Sequence, residues 1–435
     1  MPLVCKRWDA VTAGSVQLWR RFDLRWRCAE RPKIAAFEQW VARRPHLRPR
    51  ALAARLVGES ATGGVGESND AVFRDEVLPV VLVLGPELRS LELELEVGTI
   101  RPAPWALQLP ALSSLALRCR CVEALPSLAR ASCLTELRID ALSVALHPGC
   151  IPPTLHELRL ARCALPAGRC TLLACLPPSL AAATALTALH LEAVTVSSTV
   201  TWADAVAALW TLTQLRRLHY PRTGDATASP GLSCLTALTR LTLRADPAVD
   251  AHGPAFAAFS TLQQLRVLDL AECMVNEVDY RDLLCIAGVE QLVLSSNPDL
   301  YYDGDWYVEG GVLALRTLEL DVRAAAIFFE DHPLLLGACD YPRDLYAVRF
   351  TAGGASPGAP DANALVLLLR HVIWWSTSAP PPPAAKRLVH FDEGAIEAAG
   401  GLGTTAAREL VELARVARVV FGAAAESEVP WVRQV

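Results

Sequence analysis

Apolar residues return at fixed intervals through most of the chain. LRSLEL (88–93) has Leu at its first, fourth and sixth positions, and the same spacing recurs in LSSLAL (112–117), LTELRI (134–139), LHELRL (155–160) and LTALHL (186–191). It continues in LRRLHY (215–220), LTRLTL (238–243), LRVLDL (265–270), VEQLVL (289–294), LRTLEL (315–320) and, more weakly, LYAVRF (345–350). Successive copies start 21 to 31 residues apart. The fourth and sixth positions alternate with polar residues, so each copy predicts a short strand with one face in a core. Ahead of several strands, Leu recurs every third residue, as at Leu232, Leu235 and Leu238 or at Leu209, Leu212 and Leu215. One apolar residue in three predicts a tight turn or short helix that returns the chain to the next strand.

A single copy of this kind cannot cover its own apolar face, whereas stacked copies can. The pattern resembles the leucine-rich-repeat family over roughly residues 80–350. The resemblance implies an α/β fold, a solenoid with a parallel sheet on its inner face. It also implies an Asn or Cys eight residues after the first Leu, its side chain bonded to loop backbone. Cys163, Cys273 and Asn297 occupy that position, while Val194 and Asp246 depart from it. The Cys-type copies and their uneven lengths resemble the intracellular repeats that often follow an F-box.

The opening stretch bears on that point. In LVCKRWDAVTAGSVQLWRRFDL (3–24), Val4, Trp8 and Val11 share one helical face. Gly14 and Ser15 suit a stop and a new N-cap, and Val16, Trp19 and Phe22 line a second helix. The pattern resembles the C-terminal half of an F-box. That resemblance implies that Val4, Cys5, Trp8, Leu18 and Trp19 pack a small helical core and meet the Skp-type linker protein of a cullin ubiquitin ligase. The first half of the family motif, a Leu-Pro-x-Glu turn and an apolar helix, has no counterpart here, because Met1 lies where the middle would be. Together the two resemblances imply a substrate-recognition adaptor. Without the missing half the chain reads as a leucine-rich-repeat interaction scaffold with no ubiquitin role, in signalling or on the cytoskeleton.

These patterns divide the chain into a partial F-box (1–26), a connector with a degenerate first repeat and a mobile loop (27–79), and the repeat solenoid (80–375). A Pro-rich linker (376–385) and a region of degenerate repeats and C-terminal cap (386–435) complete it. The connector holds the Gly- and Ser-rich GESATGGVGESND (58–70), and the linker holds SAPPPPAA (378–385). ALVLLLRHVIWW (364–375) is about half the length of a membrane span and is broken by Arg370, so it reads as a buried helix.

Charge narrows the partners. The chain carries net charge −5 with Arg far in excess of its three lysines. An acidic balance argues against general nucleic-acid binding. Lys6, Arg7 and Asp9 interrupt any early apolar run, so no secretory leader is read. Thirteen scattered cysteines fit reduced thiols in cytoplasm or nucleus better than a disulfide framework. No catalytic, phosphate-binding or metal motif is legible. Cys119 and Cys121 lack zinc spacing, and Asp299, Asp303 and Asp305 miss the calcium-loop pattern, so neither a cofactor nor an enzyme activity is expected.

The outward columns of the strands are more informative. They hold Arg138, Arg159, His190, Arg217, His219, Arg240 and Arg244 in the middle copies. Glu92 and Glu94 precede them, and Asp269, Glu319 and Asp321 follow. The face is therefore expected to be basic at its centre and acidic towards its ends, a site for a protein segment with acidic or phosphorylated side chains.

Overall fold

The computed structural model describes residues 21–27, 43, 50–57, 78–95, 99–100, 109–125, 128, 131–146, 151–161, 180, 183–192, 209–220, 230–244, 259, 261–273, 286, 288–297, 315–322, 325, 345–352, 362–378, 386–392, 394–399 and 401–422. The chain forms two compact units, residues 1–217 and 218–435.

In the first unit, parallel strands follow one another in chain order: β1 (Arg21–Arg27), β2 (Ala51–Val57), β3 (Ser90–Leu95), β5 (Ser114–Leu125), β6 (Glu136–Leu146), β7 (Glu157–Ala161) and β8 (Ala188–Glu192). A two-residue strand, β4 (Thr99–Ile100), pairs with the far part of β5. A short helix, α1 (Leu78–Leu84), precedes β3. The register aligns Leu91, Leu115, Leu137, Leu158 and Leu189 in one column and Leu93, Leu117, Ile139, Leu160 and Leu191 in the next. All ten side chains are buried. The leading leucines Leu88, Leu112, Leu134, Leu155 and Leu186 are buried as well.

The three-residue Leu spacing makes the expected turns. Leu112 N–H donates to Leu109 O, Leu134 to Ala131 O, Leu155 to Pro152 O and Leu186 to Ala183 O, each three residues back. Neighbouring copies are then stitched by one shared acceptor each. Ser113 O accepts from both Thr135 and Glu136, Thr135 O from His156 and Glu157, and His156 O from Thr187 and Ala188. Every such carbonyl is satisfied only by the next copy.

The second unit repeats the scheme. β9 (Arg217–Tyr220) crosses the division between units, and β10 (Arg240–Leu243), β11 (Val267–Asp269), β12 (Gln291–Val293), β13 (Thr317–Asp321), β14 (Ala347–Thr351), β15 (Leu388–Phe391) and β16 (Arg418–Phe421) follow in parallel order. Leu241, Leu268, Leu292, Leu318, Val348 and Val389 form its buried column. The neighbouring column turns aromatic at its end: Phe350 stacks on Phe391 at 5.3 Å, and Phe391 on Phe421 at 5.8 Å. Thr239 O, Arg266 O, Glu290 O and Arg316 O are the shared acceptors here.

Asn297 does what its position implies. Its Oδ1 accepts from Cys273 N–H at 3.0 Å, and its Nδ2 lies 2.9 Å from Leu270 O and 2.8 Å from Leu294 O. Cys273 Sγ lies 3.1 Å from Leu243 O. Glu272 and Ser296, immediately before these two residues, take left-handed φ values of 61° and 59°. That turn aims the following side chain into the core. Cys163, Val194 and Asp246 lie outside the described residues.

Between β14 and β15 runs α2 (Ala362–Ser378), which buries Leu365, Leu368, Leu369, Val372 and Trp375 and leaves Arg370 exposed. This is the buried helix expected from ALVLLLRHVIWW. No described helix is long and apolar enough to cross a membrane. Beyond β15, a single turn, α3 (Ala395–Ala398), leads to α4 (Thr404–Val416). α4 packs on α2, where Arg370 Nε donates to Glu409 Oε1 at 2.8 Å. Arg387, buried, lies 4.5 Å from the Trp375 ring centroid and donates to Trp375 O at 2.6 Å. Burial lowers its pKa.

One expectation needs correcting. The helix read over Val16, Trp19 and Phe22 does not extend through Phe22, because β1 begins at Arg21 and pairs with β2 along its whole length. RFDLRWR alternates polar and apolar residues at every step, which is the period of a strand. The sheet thus starts well before residue 80. At the other end, LVHF and RVVF supply β15 and β16 within the region read as degenerate repeats. Residues 3–19, with Val4, Cys5, Trp8, Leu18 and Trp19, lie outside the described residues, as do 58–70 and 379–385.

Two outcomes are expected. Asn297→Ala leaves Cys273 N–H without its carboxamide acceptor in a dry site and should lower stability by about 2–3 kcal/mol, read as a lower urea midpoint. His371, buried on α2, has its pKa lowered to about 4 by loss of hydration. Between about pH 6.5 and 4 the unfolded chain binds a proton that the folded chain refuses. Its contribution, about 3 kcal/mol, should be complete above the unfolded pKa and lost as pH falls towards 4. Urea melts of His371→Phe should show a shallower loss across that window.

Candidate interaction face

The positions that alternate with the buried leucines all emerge on the sheet face opposite the core. In the first unit this face carries three register rows. One row holds Ser90, Ser114, Glu136, Glu157 and Ala188; the second holds Glu92, Ala116, Arg138, Arg159 and His190. The third holds Glu94, Arg118, Asp140, Ala161 and Glu192.

Ion pairs cross these rows. Arg118 Nε donates to Asp140 Oδ2 at 3.2 Å, and its Nη1 lies 3.6 Å from Glu94. Arg138 pairs with Glu136 and, at 3.6 Å, with Glu157. Arg159 Nη2 donates to Glu192 at 3.0 Å, and Arg217 Nη2 donates to the second oxygen of Glu157 at 3.1 Å. Glu157 thus joins two arginines from different copies. The expected arginines of this unit, Arg138, Arg159 and Arg217, are on the face, and each pairs with at least one carboxylate of its own unit. Pairs this exposed add little stability. Their effect is to hold each guanidinium in place.

The second unit has a deeper network. Arg244 makes a two-pronged bond to Asp269, with oxygens at 2.8 and 3.0 Å. Arg349 grips Asp392 through Nε and Nη2, both at 2.9 Å, and reaches Glu319 Oε2 with Nη1 at 3.1 Å. Glu319 Oε1 accepts from Ser295 Oγ at 2.8 Å. Burial raises the Glu319 pKa, with Arg349 and the Ser295 bond opposing it. The Arg244 and Arg349 pKa values rise because their carboxylate partners outweigh burial, although burial is the largest single influence. His390 is buried, with Nε2 2.7 Å from Gly422 O. His219 and Arg240 stand on outward strand positions and are half-buried.

Two arginines of these networks, Arg118 and Arg349, were not singled out from the sequence, nor were their fellow members Glu192, Ser295 and Asp392. The rule that found the others reaches both arginines, since Arg118 directly follows LSSLAL and Arg349 is the fifth residue of LYAVRF. Among the described residues no group of three or more His, Cys, Asp or Glu could hold a metal ion.

No family model matches the chain, and no curated protein matches its sequence. Solved structures do. The receptor kinase HAESA of Arabidopsis, in complex with the peptide hormone IDA and the co-receptor SERK1, is 16% identical, with 72% of this chain and 48% of that chain covered and a TM-score of 0.33. This chain therefore spans about half the length of that one. A leucine-rich-repeat protein of Leptospira interrogans is 12% identical, with 78% and 91% covered and a TM-score of 0.35. Within each unit the parallel strands in chain order and the stacked leucine columns make a leucine-rich-repeat solenoid. The reading of the face rests on its residues.

Arg349→Ala should test how far the second network depends on one cation. It strands Glu319 and Asp392 side by side, and a loss of about 2–3 kcal/mol at pH 7 is expected. Without Arg349 the Glu319 pKa rises further, so the folded state gains protons as pH falls. The deficit in the urea midpoint should therefore narrow on acidification from pH 7 to 5.

Proposed function

We propose that this protein is an interaction scaffold whose sheet face binds a protein partner, and that it serves as the substrate-recognition subunit of an SCF-type cullin ubiquitin ligase. The observation that supports the scaffold reading is the set of arginines held on the sheet face by carboxylates of neighbouring repeats. A side chain already held gives up little freedom when a partner arrives. The partner is a segment with acidic or phosphorylated side chains. Arg138, Arg159, His190 and Arg217 read it in the first unit, and His219, Arg240 and Arg244 provide like chemistry in the second. Nucleic acid and membrane are not its partners, and no catalysis is its own. Its place is the cytoplasm or nucleus, which suits Cys119, Cys133, Cys234 and Cys273, thiols outside any disulfide.

The ligase role rests on the resemblance carried by residues 3–24. There Val4, Cys5, Trp8, Leu18 and Trp19 meet the Skp-type linker. A second reading, a scaffold without a ubiquitin role, is favoured by β1. Phe22 and Leu24, at the end of the F-box-like stretch, belong to a strand of the repeat sheet. In that reading the whole stretch serves the solenoid.

A pull-down with purified Skp-type linker separates the two. Capture of the full chain that is lost in a Leu18→Ala/Trp19→Ala variant is the adaptor outcome. No capture at micromolar linker leaves the scaffold reading in place. Charge reversal by Arg217→Glu with Arg240→Glu should abolish binding of an acidic partner; unchanged affinity would sink the face reading.

A further inference from the structure

A concavity of about 350 Å³ opens on the sheet face of the first unit, opposite its core. Its floor is made by Ser90, Ser114 and Ala116, and Arg118, Arg138 and Arg159 stand around it. The hollow has a simple cause. β3 and β5 present small side chains at adjacent register positions, Ser90 beside Ser114 and Ala116 beside Glu92 and Arg138. The surrounding positions carry long charged side chains, so a gap the depth of a side chain is left between them.

The charges around this gap are layered. Arg118, Arg138 and Arg159 are 57, 50 and 44% exposed, whereas Asp140 and Glu136 are only 22 and 28% exposed. Around Arg118 and Arg138 the guanidinium groups therefore form the layer a partner meets first, with Asp140 and Glu136 beneath, whereas Arg159 stands level with its partner Glu192. The pairs occupy Nε and Nη1 of Arg118, Nε and Nη2 of Arg138, and Nη2 of Arg159. Each guanidinium has five N–H donors, so every fork keeps donors outside these pairs.

The same carboxylates limit what can enter. Glu92, Glu136 and Asp140 also line the concavity and balance the three arginines. A dianionic phosphate would place a second negative charge among them. A single carboxylate adds only one negative charge, and its two oxygens match the planar N–H donors that the forks keep outside their internal pairs.

We infer that this concavity seats one carboxylate side chain, Glu or Asp, of a protein partner, with Ala116 as floor and Arg118, Arg138 and Arg159 as donors. The inference rests on the sheet face being an interaction face, and it narrows the partner from acidic or phosphorylated segments to carboxylates at this position.

The test uses the full chain and three fluorescein-labelled peptides: hexaglutamate, hexaglutamine, and a hexapeptide with one phosphoserine among glutamines. Affinities are read by fluorescence anisotropy. Hexaglutamate is expected to bind at least tenfold more tightly than either of the others. Ala116→Leu fills the floor, alters no charge and should cost at least tenfold, whereas Ala116→Ser should stay within twofold. Should Ala116→Leu fail to fold by circular dichroism, Arg138→Gln takes its place, with the same tenfold loss expected. Full affinity in Ala116→Leu alongside loss in Arg217→Glu overturns the seat and leaves the wider face reading standing. Preference for the phosphoserine peptide, or equal binding of hexaglutamate and hexaglutamine, overturns the carboxylate assignment. No binding of hexaglutamate at millimolar concentration overturns both.

Discussion

In most of the described copies one backbone carbonyl accepts two N–H groups from the next, and the rest of the structure depends on that shared bond. Thr135 O, held by His156 and Glu157, is one such link; Arg266 O, held by Glu290 and Gln291, is another. The bond sets the register at the start of each strand, so the apolar residues at the fourth and sixth positions of each copy stack over their counterparts. Core and ladder are therefore one constraint. A copy alone would leave both its carbonyl and its leucines uncovered, and only a neighbour removes the penalty. The aromatic run Phe350, Phe391 and Phe421 is the same column continued with larger side chains.

Register also organises the opposite face. Adjacent parallel strands lie about 4.8 Å apart, within reach of an arginine, so a charge on one strand meets charges on its neighbours. In the first unit this yields exposed pairs whose value is orientation. In the second, the same geometry occurs at lower exposure. Glu319 and Arg349 are there held against a desolvation penalty that shifts the Glu319 pKa upward. Two units built on one pattern thus differ in their deepest pairs: the first has exposed arginines, and the second adds the half-buried Arg244 and Arg349 pairs to exposed ones at Arg266 and Arg316.

The outward columns were legible because period two is visible in any strand, and they led directly to Arg138, Arg159, Arg217 and Arg244. What they did not show was the pairing. Arg217 shares Glu157 with Arg138 although sixty residues separate Arg217 from Glu157. That relation depends on the strands between them and on register that connectors of unequal length do not reveal. The concavity was hidden for a related reason. Ser90, Ser114 and Ala116 are unremarkable in sequence and become a floor only when aligned side by side. Phe22 was misplaced because a helical face read from Val16 and Trp19 stopped at the first residue that fitted it. The alternation of the next five residues was the stronger signal.

By itself, the sequence determined the repeat, the strands of the copies between residues 88 and 350, their buried leucine columns and the buried helix read over 364–375. Each is a local pattern whose period matches its own element, so no partner need be known to read it. Tertiary structure alone decided which charges neutralise one another, where the sheet begins and where its face is hollow. Those properties belong to side chains on different strands. Their distances are set by the inter-strand hydrogen bonds, and those bonds join residues far apart along the chain.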